Sequence, residues 1–152
     1  MTHFQKSLVI DADAAGIYAA LTTPQGLAAW WTEDCDVPAP AQAGDVIRFR
    51  FSCNDVDMRV EGLTPGREVR WRCVREGRGQ AQGEWEGTSV VFRLTPQGPG
   101  RTRVDFEHVG LVPALECYER CREGWTHFLD SLRLLAETGQ GTPHRKTEAG
   151  VH

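Results

Sequence analysis

The stretch that decides the fold is residues 115–139, LECYERCREGWTHFLDSLRLLAETG. Apolar side chains recur in it with helical spacing, and Gly139 is a typical helix stop, so the stretch predicts one long amphipathic helix. The residues on its apolar stripe are Tyr118, Arg122, Trp125, Leu129, Leu132 and Ala136. A solitary helix of this length at the end of a strand-rich chain indicates a sheet that curls around it.

Six segments before this helix are predicted strands, because five of them alternate apolar and polar side chains and the first ends in an apolar run. They are residues 4–10, 45–51, 57–63, 67–74, 87–95 and 101–109. Short turns rich in glycine and proline separate the later strands, which favours an antiparallel sheet with one covered face. Two short helices are predicted after the first strand, one around Ile17 and Leu21 and one from Pro24, and residues 35–44 are predicted to be a loop.

The predicted fold class is therefore α+β: a curved antiparallel sheet wrapped around the long C-terminal helix, with two short helices after the first strand. A chain of 152 residues is long enough for one domain with its own core. We expect residues 1–141 to form this domain. Residues 142–152 offer almost nothing apolar to bury and are expected to be a disordered tail.

Composition narrows the classes of function. The chain is 40% hydrophobic and 25% charged, with a net charge of -4, and this negative balance argues against nucleic acid as a partner. No apolar run approaches the roughly 18 residues that a membrane span needs. The N-terminus lacks the basic and then apolar order of a signal peptide, so a cytoplasmic location is expected.

The five cysteines, at positions 35, 53, 73, 117 and 121, include no CxxC pair and are odd in number. They indicate neither a disulfide framework nor a structural zinc site, and all five thiols are expected to be free. The sequence also contains no phosphate-binding glycine loop, catalytic Ser/His/Asp order or HExxH helix. It therefore predicts no metal, no cofactor and no catalytic residue.

Six short phrases occur in the order of a known family. They are ALTTP (20–24), WWT (30–32), WEGT (85–88), HVGL (108–111), GW (124–125) and GQGTP (139–143). With them, residues 4–143 resemble the helix-grip fold of the START/SRPBCC superfamily, and within it the bacterial branch named after the activator of heat-shock chaperone ATPase. The resemblance implies two further functions as alternatives to simple ligand binding, since relatives include cyclases and hydratases and the branch name points to chaperone regulation.

The sequence predicts binding of a hydrophobic or aromatic small molecule in a cavity between the sheet and the C-terminal helix, because bulky aromatic walls with few polar points are typical of ligand pockets. The residues predicted to contact the ligand are Trp30, Phe49, Met58, Trp71, Trp85, Phe106, His108, Arg122, Trp125 and Phe128. The first alternative is an enzyme of the cyclase or hydratase type in the same cavity, which would need a second polar group beside His108. The second is a chaperone-regulating interaction protein, which would need an exposed protein-binding surface. A homodimer is compatible with all three.

Individual site residues have competing interpretations. Trp30 and Trp31 either both pack the helix pair onto the sheet, or the more exposed of the two is the lid of the cavity, since adjacent helical residues point in different directions. His108 is either a polar anchor for the ligand or a core imidazole bonded within the domain. Arg122 extends to the edge of the sheet, pairs with a carboxylate or holds an acidic ligand group. Gly124 costs a helix roughly 1 kcal/mol relative to Ala, so we expect a strand, a ligand or a kink close to the backbone there.

Overall fold

The computed structural model describes residues 3–38, 42–50, 55–77, 85–113 and 118–144. These residues form seven strands and three helices. In chain order they are β1 (Phe4–Ile10), α1 (Ala14–Thr22), α2 (Pro24–Trp30), β2 (Cys35–Asp36), β3 (Val46–Arg50), β4 (Asp55–Thr64), β5 (Glu68–Gly77), β6 (Ser89–Pro96), β7 (Thr102–Val109) and α3 (Tyr118–Thr138).

The strands make one antiparallel sheet in the order β1-β7-β6-β5-β4-β3-β2. The first strand of the chain therefore lies beside the last, and β1 and β2 are the two edges. The register between β4 and β5 shifts twice, after Asp57 and after Val60. Such irregularities increase twist and bend a strand, which helps the sheet to curve. The concave face receives α3, so the predicted fold class is confirmed.

The core lies between the concave face of the sheet and one side of α3. Its large buried side chains include Phe49, Met58, Trp71, Phe92 and Phe106 from the strands and Trp125, Leu129 and Leu132 from α3. The outer face of the sheet carries ion pairs instead, for example Arg70 with Glu68 at 2.8 Å. The alternation of apolar and charged residues in the strands thus separates a dry face from a wet one.

The two short helices pack tightly against each other because the chain turns sharply between them. Pro24 occupies the first turn of α2, and the Thr23 hydroxyl accepts a hydrogen bond from the Gly26 amide at 3.0 Å. A Cβ atom at Gly26 would lie 2.5 Å from the Ala20 Cα, so only glycine allows this approach. The turn places Trp30 and Trp31 under the sheet.

One strand was not predicted, and two predicted boundaries fall outside the described residues. Strand β2, Cys35–Asp36, falls in the predicted loop; it pairs with only Phe49 and Arg48 and is too short to show an alternating pattern. Helix α3 is described from Tyr118, and the predicted start of the helix lies outside the described residues. The last residue of the predicted strand 45–51 lies outside them as well.

The chain after α3 is held to the domain for longer than predicted. The Thr142 amide donates to the Ser131 hydroxyl at 2.7 Å. The His144 amide donates to the Trp31 carbonyl at 2.8 Å, and the His144 carbonyl accepts from the Glu33 amide at 2.9 Å. Residues 142–144 are therefore bonded to the domain. Residues 145–152 lie outside the described residues, and the predicted domain boundary stays a prediction. The three residues Thr142, Pro143 and His144 carry no apolar pattern that would predict these contacts.

Truncation after His144 is expected to leave the melting temperature unchanged, whereas truncation after Gly141 should lower it. Among the described residues the shorter chain loses four hydrogen bonds, three made by backbone amides and one between His127 Nε2 and the Thr142 carbonyl. At about 1 kcal/mol each, their loss corresponds to a drop of roughly 8–16 °C for a domain of this size. Differential scanning calorimetry of the two truncations and the full chain measures this. Equal melting temperatures would show that the segment 142–144 contributes nothing.

Candidate ligand-binding site

Aromatic rings fill the middle of the space between the sheet and α3. Trp31 lies at their centre: its ring centroid is 5.8 Å from that of Trp71, 5.3 Å from that of Trp125 and 4.3 Å from that of Phe49. Trp31 is only 2% exposed and Trp30 is fully buried. Neither tryptophan is therefore the predicted lid, and the central part of the predicted cavity is occupied by the Trp31 ring.

Trp30 ties α2 to the other helices. Its indole Nε1 donates to the Ala20 carbonyl at 2.8 Å, and its own carbonyl accepts from the Ser131 hydroxyl at 2.8 Å. Both polar groups of this buried residue are thus satisfied within the domain. Trp30 was predicted to contact a ligand, but these contacts give it a role in packing.

His108 lies at the centre of a buried chain of hydrogen bonds. Trp125 Nε1 donates to His108 Nδ1 at 3.0 Å, and His108 Nε2 is 2.8 Å from the Thr88 hydroxyl. That hydroxyl donates to the Trp85 carbonyl at 2.5 Å. It must therefore accept from His108 Nε2, which carries the proton of a neutral imidazole.

The electrostatics of His108 agree with this assignment. Burial, with a smaller contribution from His3, lowers the pKa of His108 from 6.5 to about 3. Both ring nitrogens have partners inside the domain, so neither is available to a ligand. These bonds favour the interpretation as a core imidazole, whose partners are side chains of α3 and of the residue before β6. Contact between His108 and a ligand stays a prediction.

Trp85 forms an aromatic wall beside this chain. Its ring stacks on Trp125 with centroids 5.6 Å apart and meets His108 edge-on at 4.7 Å. Its indole Nε1 donates to Cys121 Sγ at 3.1 Å. Trp85 packs against the core but is only partly buried, so it is the most accessible tryptophan among the predicted ligand contacts.

Two of the quoted phrases meet at this point. Gly110 has a φ of 102°, and a Cβ atom there would lie 2.8 Å from Thr88 Cγ2. Glycine at 110 thus lets HVGL (108–111) close over WEGT (85–88), which brings Thr88 to His108. We did not predict Thr88 as a partner of His108, and its position in a family phrase was the only available signal.

One side of α3 beside Trp85 is only half-buried, and we call its residues Cys121, Gly124 and Phe128 the open flank of α3. A Cβ atom built on Gly124 would meet nothing within 4 Å. In the described part of the chain no strand lies close to this position and the glycine leaves free space, so of the three alternatives a ligand or a kink remains. Strands β3, β5 and β7 end at the same end of the sheet, and α3 begins at this end. The open flank therefore lies near one opening of the space between the sheet and α3, which we call the mouth of the grip.

Arg122 is not an anchor inside the grip. Its guanidinium is exposed and pairs with Glu119 at 2.6 Å across one helical turn. The hydrogen bond to Glu119 raises the pKa of Arg122 above its usual value. Helical spacing placed Arg122 beside the apolar stripe, but near the start of α3 its long side chain reaches solvent and a carboxylate. The ion-pair interpretation is correct.

The remaining predicted contacts divide by depth. Phe49, Met58, Trp71, Phe106 and Trp125 point inward and are at most 2% exposed. Phe49, Trp71 and Trp125 contact Trp31, and Phe106 contacts Trp125. These buried residues form the floor of the site, and a ligand could touch most of them only by displacing a neighbouring ring. Phe128 is half-buried on the open flank. Direct contact between any of these residues and a ligand remains a prediction.

Metal binding and membrane insertion find no support in the described ranges. They contain no group of three or more His, Cys, Asp or Glu side chains that could hold a metal ion. Cys35, Cys73 and Cys121 are free thiols, while Cys53 and Cys117 lie outside these ranges. Burial raises the pKa of Cys35 to about 11, helped by Asp36 and Asp34. Of the helices that could be inspected, none is long and apolar enough to cross a membrane.

The curved sheet around α3, with α1 and α2 closing one side, defines a helix-grip domain. Residues 11–137 match the model of the family described as Activator of Hsp90 ATPase homolog 1-like protein. The chain belongs to this family, which confirms the resemblance to the START/SRPBCC superfamily. It is similar to the solution structure of the Aha1 dimer from Colwellia psychrerythraea, with 32% identity, a TM-score of 0.78 and coverage of 93% of this chain and 100% of that one.

More distant structures share the fold. DynU16, from the dynemicin biosynthetic locus, has 21% identity and a TM-score of 0.68, covering 90% of this chain and 48% of that one. A protein from Mesorhizobium loti has 20% identity and a TM-score of 0.69, covering 87% of this chain and 96% of that one. No curated protein matches the chain.

Proposed function

We propose that this protein binds a hydrophobic or aromatic small molecule between Trp85 and the open flank of α3. The observation that carries the proposal is the free space at Gly124. Glycine inside a helix costs roughly 1 kcal/mol relative to Ala, and no packing within the described chain compensates for that cost. A ligand bound on the open flank would explain why position 124 of the helix is a glycine.

The chemistry of the flank suits an apolar ligand. Its side chains are a phenyl ring and a thiol, and the adjacent wall is the indole of Trp85. Near the start of α3, Arg122 and Glu119 pair with each other in solvent, and Arg120 and Glu123 are exposed. Recognition would therefore rest on apolar contact and ring stacking, which are typical of pockets for lipid-like or aromatic molecules.

This location refines the predicted cavity. Trp125 lies between Trp31 and Trp85, with ring centroids at 5.3 and 5.6 Å, and continues the aromatic floor toward the flank. The ligand would bind at the edge of the aromatic cluster, near the mouth of the grip, because the rings already occupy its middle. A ligand there would stack on the outermost ring of this cluster without displacing any of its members.

Filling the space at Gly124 should weaken ligand binding. Gly124→Leu is expected to weaken the binding of a neutral fluorescent probe, N-phenyl-1-naphthylamine, by at least about tenfold, because the leucine takes the ligand's place. Stability should hold or rise, since leucine is a better helix former than glycine. Probe titration with tryptophan quenching and thermal melting measure both quantities.

The matched control is Gly16→Leu. Gly16 is an exposed glycine of α1, and its Cβ position also meets nothing within 4 Å. This variant should gain helix propensity in the same way and bind the probe like the wild type. Equal probe affinity in both variants would exclude the open flank as the site.

The enzyme alternative would need two polar groups that converge on the ligand. Near the flank, the polar groups His108 and Thr88 are bonded to each other and to Trp125 and Trp85. Their bonding favours a structural role over acid–base chemistry. Binding is therefore the function that the geometry supports best, and chaperone regulation stays an alternative suggested by the family description.

We also propose that the protein forms a homodimer. The Colwellia relative, similar over its whole length, is a dimer. Strand β1 ends the sheet and pairs with β7 alone among the described strands, so it offers a free edge. Sedimentation velocity over a range of protein concentrations tests for the dimer directly.

A further inference from the structure

A groove runs along the free edge of β1. It has a volume of about 440 Å³ and lies between β1 and α3. Its lining residues are Lys6 and Leu8 from the strand and Thr126, His127, Asp130 and Arg133 from the helix. The helix thus stops short of covering the edge of the sheet, and inward-facing side chains of β1 remain half-buried there.

Lys6 is the unusual residue of this groove. It shares the inward face of β1 with Leu8, between the buried Phe4 and Ile10. In the part of the chain that the structure describes, no carboxylate lies within ion-pair distance of its ammonium group, and Asp130 pairs with Arg133 instead. A charge pointing inward at a sheet edge prevents indiscriminate strand pairing. The Lys6 charge permits pairing only with a partner strand whose protein places an opposite charge beside it.

We propose that the free edge of β1 pairs with β1 of a second copy of the chain, in antiparallel orientation about a twofold axis at Ser7. This interface rests on the proposed homodimer and gives it a location. Ser7 is the middle residue of Phe4–Ile10, so this is the one register that pairs every residue of both strands. The two sheets become one continuous sheet, and the exposed Val9 lies opposite the partner's Gln5.

The charges in and beside the groove favour a second copy of the chain over other binding partners. The groove and its immediate ion pairs contain two cations, Lys6 and Arg133, and two carboxylates, Asp130 and Glu137. A balanced surface has no preference for a strongly acidic or basic partner but can complement itself across a twofold axis. In the proposed register Lys6 lies opposite the partner's Leu8, which places its ammonium within reach of the partner's Asp130. Each dimer then contains two such contacts.

Charge exchange tests the interface in the full chain. Lys6→Glu and Asp130→Lys should each raise the dimer dissociation constant at least about tenfold, because each places like charges across the axis. The double variant Lys6→Glu with Asp130→Lys should restore most of the affinity. Arg72→Glu, an exposed charge reversal on the outer face of β5, is the control and should leave the constant unchanged. Sedimentation equilibrium measures the constants, and circular dichroism checks that each variant is folded.

A cysteine at the axis gives a second test. Residues directly opposed in antiparallel strands have Cα atoms about 4.5–5.5 Å apart, which a disulfide can bridge. Ser7→Cys should therefore form a covalent dimer on mild oxidation, while the parent chain with its native thiols should not. A dimer that withstands both charge reversals and does not cross-link would place the interface elsewhere. A chain that is monomeric at every concentration, or that binds an acidic peptide at this edge instead, would overturn the assignment of a second copy.

Discussion

Trp31→Ala is expected to lower the free energy of unfolding by about 3–5 kcal/mol, as is usual when a large buried aromatic side chain is truncated. Trp31 is 2% exposed and contacts rings from α2, the sheet and α3, so its removal leaves a hole at the centre of the domain. Urea unfolding followed by far-UV circular dichroism measures the loss. Trp85→Ala serves as the comparison and should cost clearly less, because Trp85 is only half-buried.

The same variant offers an independent check of the packing. An apolar cavity of defined shape can bind a small molecule of matching size. Indole should therefore raise the melting temperature of Trp31→Ala and leave that of the wild type unchanged. A loss of stability below about 1 kcal/mol, within the range of ordinary surface substitutions, would show that Trp31 does not fill the grip.

The free energy of unfolding is expected to fall by about 2 kcal/mol between about pH 7 and about pH 5. In this range His108 takes up a proton in the unfolded chain but stays neutral in the folded domain, so acid favours unfolding. The pKa of His108 is about 3 in the folded domain, below its ordinary value of 6.5. A depressed pKa contributes stability that is fully present above 6.5 and is lost as the pH falls toward about 3. Urea midpoints across this range measure the effect.

His108→Gln is the matched variant for the pH experiment. Its amide keeps a donor and an acceptor near Thr88 and Trp125 but does not titrate. The variant should be less stable near neutral pH and should show a much flatter pH dependence. The carboxylates whose pKa values are lowered, Asp105 and Glu107, titrate below this window and do not confound it. A wild-type protein as stable near pH 5 as near pH 7 would contradict the buried neutral imidazole.

Local periodicity was sufficient to predict most of the fold. Alternation in Val46–Arg50 or Thr102–Val109 directly reflects one dry and one wet face of a sheet, and the stripe of α3 reflects its burial. The misses have local causes. Strand β2 has two residues and no period to detect, and residues 142–144 dock through backbone hydrogen bonds, which composition does not reveal.

The site was harder to predict because it depends on contacts between distant residues. Adjacent tryptophans at 30 and 31 suggested one buried and one exposed ring, yet α2 is covered on both sides and buries both. The bond between Thr88 and His108 spans two strands and has no local pattern. At Gly124 the energetic argument was sound, but it could not distinguish a close neighbour from an empty space.

The central claim is that the open flank of α3 holds an apolar small molecule. Native mass spectrometry of the protein as purified, compared with Gly124→Leu and Gly16→Leu, tests it most directly. We expect the wild type and Gly16→Leu to retain one small apolar molecule per chain and Gly124→Leu to appear at its bare protein mass. A wild type that carries no such molecule and takes up no apolar probe, or a Gly124→Leu variant that retains the molecule, would contradict the claim.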